Sequence, residues 1–273
     1  MWYPRAVPPK SALANKVAHV SIDDVEAFKD LITNANTYNS LFEQPFFAFL
    51  KKLHDEYNAA FTLYTYETFG SNGPNIASVP AKFKNEFKEA SSWLRIGFHW
   101  PVPEFNTDIS VENFRSAYRA ANSSISRFAD TAMVAETLRI HYYYGPDSLI
   151  DTLQGVRVLL CADTPGRQSY NLNHHEMQYV GSGKQLVKDS IRYIRTDLRS
   201  ENHFNITRTL RSMQNRDTLV VFTHEWAMQP QSVKSMLLTM WQSNELHSNY
   251  LNKRNFECVV KWLHNNGYRF SFL

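Results

Sequence analysis

Val17 to Glu26 read VAHVSIDDVE, an apolar, β-branched run that stops at two adjacent carboxylates, Asp23 and Asp24. Val17 to Ile22 has the composition of a buried strand. Its stop is chemically pointed, because neighbouring carboxylates repel unless a cation or a proton holds them. The pattern recurs along the chain: WLRIGF ends at His99, LLCA at Asp163, and TLVVF at His224 and Glu225. Helical stretches lie between these runs. FEQPFFAFLKKLHDEYN puts Phe46, Phe49, Leu50, Leu53 and Tyr57 at helical spacing with Pro45 near the first turn, and SVENFRSAYRAANSSISRFAD starts a helix at Ser110. AAFTLYTYE, TLRIHYYYG and GVRVLLCAD read as further strands, PAKFKNEFKEASSWL and DSLIDTLQ as helices, and Thr164 to Lys184 as a long polar segment. FECVVKWLHNNGYRFSFL reads as a helix, a turn at Asn266-Gly267 and a last strand. Strands alternating with helices predict an α/β fold with a parallel sheet. Active sites of such folds lie at the carboxyl ends of the strands, where this sequence places acids and imidazoles.

With 273 residues the chain suits one large domain of this class, and no Pro-, Gly- or Ser-rich linker divides it. Residues 1–273 are therefore read as a single domain, with 1–16 as an extended, Pro-bearing N-terminal arm. The 29 Lys and Arg against 26 Asp and Glu leave a net charge of +3, and no Lys/Arg run alternates with aromatics, which argues against a nucleic-acid partner. The two cysteines, Cys161 and Cys258, sit in apolar stretches and build neither a disulfide framework nor a metal knuckle. No stretch reaches eighteen uncharged apolar residues, and prolines interrupt the place where a signal peptide carries its apolar region. A soluble chain is expected, cytoplasmic rather than secreted. The 6 Trp, 14 Tyr and 18 Phe supply a heavy aromatic core and, where they face a cleft, platforms for a sugar. Trp100, Tyr143, Tyr144 and Trp226 are the expected substrate-binding aromatics.

The residues at the strand ends suit one another. A divalent metal takes carboxylate oxygen and imidazole nitrogen and keeps open positions for water and a substrate oxygen. Such a site hydrolyses acyl bonds with one acid taking the proton of the water and an imidazolium protonating the leaving group.

In order along the chain, VSIDDVE, FFAFLKKLHDEYNAAFTLY, RIGFHW, HYYYGPDSLIDTLQG, VVFTHEW and CVVKWLHNNGYRFSFL resemble the polysaccharide deacetylases of carbohydrate esterase family four. The resemblance implies a single distorted (β/α)7-type barrel that removes acetyl groups from acylated sugars with a divalent metal, zinc first. It further implies Asp23 as catalytic base, Asp24 and His99 as metal ligands, and His224 as general acid. The chain departs from the family at Pro103, where a second ligand His is expected, with Glu104 beside it as an alternative oxygen donor. It departs again in HYYYG, where His141 stands in place of the Arg that pairs with the base. Arg139 either takes over that pairing or His141 turns to complete the ligand set. Asp163 is expected to orient His224, because Glu225, the next residue on the strand, should face the other way. The Trp expected near Asp163 is absent, and Tyr170 is the closest aromatic. Two other readings stand beside the hydrolase: a non-catalytic carbohydrate-binding protein on the same barrel, and a metal-free glycosidase using Asp23 and Glu225.

Overall fold

The computed structural model describes residues 16–164, 166–229 and 248–273, so that residues 1–15 of the expected arm lie outside the described residues. From β1 (Val17–Asp23) the chain passes through α1 (Ala27–Thr33) and α2 (Pro45–Tyr57) to β2 (Phe61–Tyr66), and through α3 (Lys84–Glu89) to β3 (Leu94–Trp100). The long α4 (Val111–Phe128), capped by Ser110 on the amide of Asn113 at 3.1 Å, leads to β4 (Thr137–Leu138), and α5 (Asp147–Ile150) leads to β5 (Val158–Cys161). Next come α6 (His174–Gly181), a hairpin of β6 (Leu186–Lys188) and β7 (Ile191–Arg195), β8 (Leu198–Arg199), α7 (Ile206–Ser212) and β9 (Thr218–His224). The chain closes with α8 (Asn249–Asn265) and β10 (Arg269–Phe270).

One sheet has the order β3-β2-β1-β9-β8 with β10 added to β1, and the second has the order β4-β5-β7-β6. All pairings are parallel except that of β6 with β7. The sheets join into a ring at two places. The amide of Thr196 donates to Cys161 on β5 at 3.1 Å and the next amide, Asp197, donates to Val220 on β9 at 2.8 Å, so β7 and β8 form one stave that changes partner midway. On the other side a single bridge, Ile96 to Val134, links β3 to the segment before β4. The staves are then β1, β2, β3, β4, β5, β7 with β8, and β9, a distorted parallel barrel wrapped by helices. Tyr64 and Leu138 fill its interior so tightly that a Cβ on Gly97 would lie 2.8 Å from Leu138 and 2.9 Å from the Tyr64 ring.

Most of the aromatic load is core. Phe28, Phe47, Phe87 and Phe128 interlock with ring centroids 5.5–6.3 Å apart, sealing α1, α2, α3 and α4 against one another. The segment TLRIHYYYG departs from the strand expected for it. Only Thr137–Leu138 is strand, and Tyr142 and Tyr143 take φ of 54° and 56°, a left-handed turn that ends any pleat. The polar segment from Thr164 contains α6, held by a capping box between Asn173 and Glu176. No described helix is long and apolar enough to cross a membrane.

His19 lies inside the barrel with no exposed surface, bonded through Nδ1 to the Ser271 carbonyl at 3.2 Å. Burial, joined by the charge of Arg139, lowers its pKa from 6.5 to about 3. The folded state therefore refuses a proton that the unfolded chain accepts below 6.5, and stability falls as pH drops from 6.5 toward 3. Between those values this histidine is expected to cost about 1.4 kcal/mol per pH unit. Urea unfolding from pH 7 to 4 checks this: the stability of His19→Gln should decline less steeply than that of the parent, and parallel curves would refute it.

Candidate active site

Strand register brings the chemistry together. β1 and β9 pair without a break from Val17 opposite Thr218 to Asp23 opposite His224, so the two side chains end their strands side by side. Between β2 and β3 the register shifts: Thr65 faces Phe98 while Tyr66 faces Trp100, leaving His99 as the extra residue of a bulge. Bulges next to sites re-aim side chains, and His99 points to the strand ends. Asp24 comes next after β1 with φ of 55°, an uncommon backbone for a residue with a Cβ, which turns its carboxylate out of the β1 line.

The Arg139 guanidinium enters the barrel interior, where it is 2% exposed. It donates to Asp23 Oδ1 at 2.9 Å, Ser21 Oγ at 2.7 Å and Thr196 Oγ1 at 3.0 Å. Burial works against its charge, but Asp23 more than compensates and holds it protonated. His141, two residues on, starts a 3-10 turn after the strand has stopped at Leu138, and points its Nδ1 to 2.9 Å from His99 Nε2 and 3.5 Å from Asp24 Oδ1. Both alternatives read from HYYYG thus occur together: Arg139 faces Asp23 and His141 faces the Asp24 cluster.

Asp24, His99 and His141 bring one ligand atom each to within 4.8 Å of one another. His99 Nδ1 lies 2.6 Å from the Arg139 carbonyl, which can only accept, so Nδ1 carries a proton there and Nε2 is the nitrogen aimed at Asp24 Oδ1, 3.3 Å away. A metal-bound imidazole characteristically makes this hydrogen bond with its other nitrogen. Burial, with the charges of His99 and His224, lowers the His141 pKa to about 3 and keeps it a neutral donor. Burial would raise the pKa of Asp24, yet hydrogen bonds and charge from His99, the charge of His224 and the Tyr66 hydroxyl bring it below the usual carboxylate range. Tyr66 donates to Asp24 Oδ1 and the Trp226 indole donates to Oδ2 at 3.0 Å. Two imidazole nitrogens and a carboxylate oxygen that converge on one point fit a divalent cation.

On the opposite side stands His224, its ring stacked on Trp226 at 5.1 Å and its Nε2 3.9 Å from Asp24 Oδ2. Its Nδ1 meets Glu201 Oε1 at 2.8 Å. Burial acts to lower the His224 pKa and is outweighed by the hydrogen bond and charge of Glu201, so the pKa stands above the ordinary histidine value. Glu201 is itself buried, and Arg199 donates to it at 2.9 and 2.7 Å.

Several expected residues sit elsewhere. Asp163 lines the cleft but is not the acid against His224, because β5 is not a neighbour of β9, whereas β8 is, and Glu201 lies just beyond β8. The missed signal is IRYIRTDLRSE, a strand run ending at an acid like the others, obscured by its three arginines. Glu225 faces away, as strand alternation requires, and accepts from the amides of Glu26 at 2.7 Å and Ala27 at 2.9 Å at the start of α1. It therefore does not face Asp23 across a cleft, as the metal-free glycosidase reading needs. Glu104 is exposed near Gly70, outside the ligand cluster. Trp100 is 1% exposed, packed on Phe105 and Phe114, and offers no platform. Tyr143 is buried with only an edge on the cleft, Tyr144 bonds the Thr107 carbonyl at 3.3 Å, and Tyr170 is bonded to the Leu160 carbonyl inside the core. Among the described residues, Trp226 and Tyr142 are the aromatics that reach both cleft and solvent.

Among solved structures, a family 4 acetyl xylan esterase from Clostridium thermocellum, determined in complex with a cobalt ion, superposes over 94% of this chain and 87% of its own, with a TM-score of 0.50 at 12% identity. The chain shares that esterase fold. The Xyl-CE4 domain of a multidomain xylanase from the hindgut metagenome of Trinervitermes trinervoides matches over 94% and 87%, with a TM-score of 0.48 at 11% identity. A 4-alpha-glucanotransferase from Thermococcus litoralis matches over 94% of this chain but 38% of its own, with a TM-score of 0.52 at 9% identity. No family model and no curated protein matches the sequence.

Arg139 and Asp23 yield a direct test. Arg139→Met leaves a buried carboxylate without its partner, and breaking such a pair is expected to cost about 3–5 kcal/mol. In urea unfolding the double variant Arg139→Met/Asp23→Asn should recover part of that loss. A neutral single variant would show that the pair is unimportant.

Proposed function

We propose that the chain is a divergent polysaccharide deacetylase, a metal-dependent hydrolase that removes an acyl group from an N- or O-acylated sugar or glycan. One observation carries this reading: the ligand atoms of Asp24, His99 and His141 converge beside Asp23 and the His224–Glu201 pair, which stand at the ends of the neighbouring strands β1 and β9. Asp24, His99 and His141 would hold the metal, and the two-nitrogen, one-oxygen set suits zinc. When bound, it supplies Lewis-acid polarisation of the acyl carbonyl and a lower pKa for water. The protein's own groups do the rest. Asp23, paired with Arg139 at 2.9 Å and fixed by it, accepts the proton of the water that attacks the carbonyl. His224, kept protonated by Glu201, gives its proton to the departing sugar nitrogen or oxygen as the acyl bond breaks. Tyr66 and Trp226 occupy the remaining lone pairs of Asp24 and hold it in one orientation. Pro103 does not remove the third ligand in this reading, because His141 reaches the same point from the next segment.

Calorimetric titration with zinc after chelator treatment tests the centre. One ion per chain is expected, with affinity reduced at least 100-fold in His99→Ala and His141→Ala. A parent chain that binds no divalent ion, yet binds chito-oligosaccharides, would move the reading to a non-catalytic carbohydrate-binding protein.

The acid has its own signature. Because Glu201 raises the His224 pKa, activity should fall as pH rises through that raised value, and Glu201→Gln should move this alkaline limb to lower pH. An alkaline limb at the same pH in both proteins would remove His224 from the acid role.

A further inference from the structure

Three cavities lie in series above the strand ends. The first, of about 300 Å³, holds Asp23, His224 and Arg139. The second, of about 380 Å³, shares Asp24, His141, Tyr142 and Trp226 with the first and adds Tyr66 and Pro103. The third, of about 490 Å³, shares Glu26 and Gln229 with the second and is floored by Pro45, Phe46, Phe49 and Met228.

We propose that the second and third cavities form an acyl chamber, so that the group removed is a medium-length alkanoyl chain rather than acetyl; this rests on the hydrolase reading above.

Two features support the assignment. The chamber begins at the metal-ligand cluster, on the flank lined by Tyr66 and Pro103. An acyl carbonyl seated at the cluster, with its sugar toward Asp23 and His224, therefore has its alkyl end directed through the second cavity into the third.

Among the described residues, the polar groups that line the third cavity are largely engaged. Asp30 accepts from Tyr38 at 2.6 Å, Asn34 at 2.6 Å and Gln44 at 3.1 Å. Glu225 accepts from the amides of Glu26 and Ala27 and, at 3.0 Å, from Gln229. Lys29 pairs with Glu26 at 3.4 Å, and Lys253 lies 4.5 Å over the Phe49 ring. A sugar brings hydroxyls that would find few free partners here, whereas an alkyl chain asks for none.

The zinc-loaded chain assayed with N-acyl-glucosamines from acetyl to octanoyl should show kcat/KM rising about fourfold per methylene until the chamber is full. Gln229 is exposed and stands between the second and third cavities, and Gln229→Trp should flatten the series while leaving acetyl turnover unchanged. Decanoate binding to the metal-free chain, followed by calorimetry, reads the chamber without turnover, and Gln229→Trp should abolish it with the melting temperature retained. Acetyl as the best substrate together with no decanoate binding would overturn the proposal. So would rates that ignore acyl length but rise with the number of sugars. Decanoate binding that is lost in Gln229→Trp, with no hydrolysis of any member of the series, would uphold the chamber and overturn the hydrolase reading instead.

Discussion

The arrangement depends on one buried charge. Arg139 sits inside the barrel, 4.3 Å above the Phe222 ring and 5.8 Å from that of Tyr64, with Asp23, Ser21 and Thr196 accepting its protons. A guanidinium in that environment is tolerated only with its partner and its hydrogen bonds in place. Those partners come from β1 and from the stave that passes from β5 to β9, so satisfying one side chain ties both sheets together. The same charge dictates the course of the chain beyond Leu138. The backbone delivers Arg139 inward, and the 3-10 turn that begins at His141 then leads the chain away through the left-handed Tyr142 and Tyr143.

Around this point the charges are sorted by partner. Asp23 belongs to Arg139, and Glu201 belongs to Arg199 and His224. Asp24 is shared among His99, His141, Tyr66 and Trp226. The outcome is two carboxylates in adjacent positions with different environments: one faces a buried guanidinium, and the other faces a group of imidazole nitrogens. In the proposed function that difference, rather than their shared identity, would let one act as a proton acceptor and the other as a cation ligand.

The aromatic residues divide in a similar way. Trp100, strongly apolar and next to His99, alternates into the core, while Trp226 uses its indole N–H on Asp24 and its ring on His224. A tryptophan with one polar bond and one stacked face is pinned at a site even while 45% exposed.

The strand runs and their polar ends were legible in the sequence because a buried parallel strand needs an uninterrupted apolar stretch, and its end is marked by the first residue that cannot be buried alone. Asp23, Asp24, His99 and His224 are therefore readable from VSIDDVE, RIGFHW and TLVVFTH, as are Pro45 at the start of α2 and Ser110 at the start of α4. Tertiary structure alone decided which acid faces His224, because that depends on which stave lies beside β9, and β8 is too short and too rich in arginine to announce itself. It decided equally that Arg139 and His141 part company, since nothing in composition or periodicity marks the stop of the strand at Leu138 and the 3-10 turn that begins at His141. Local pattern reports the burial of one segment at a time, whereas a site is made of neighbours across the sheet, and the chain chooses those only when it closes the ring.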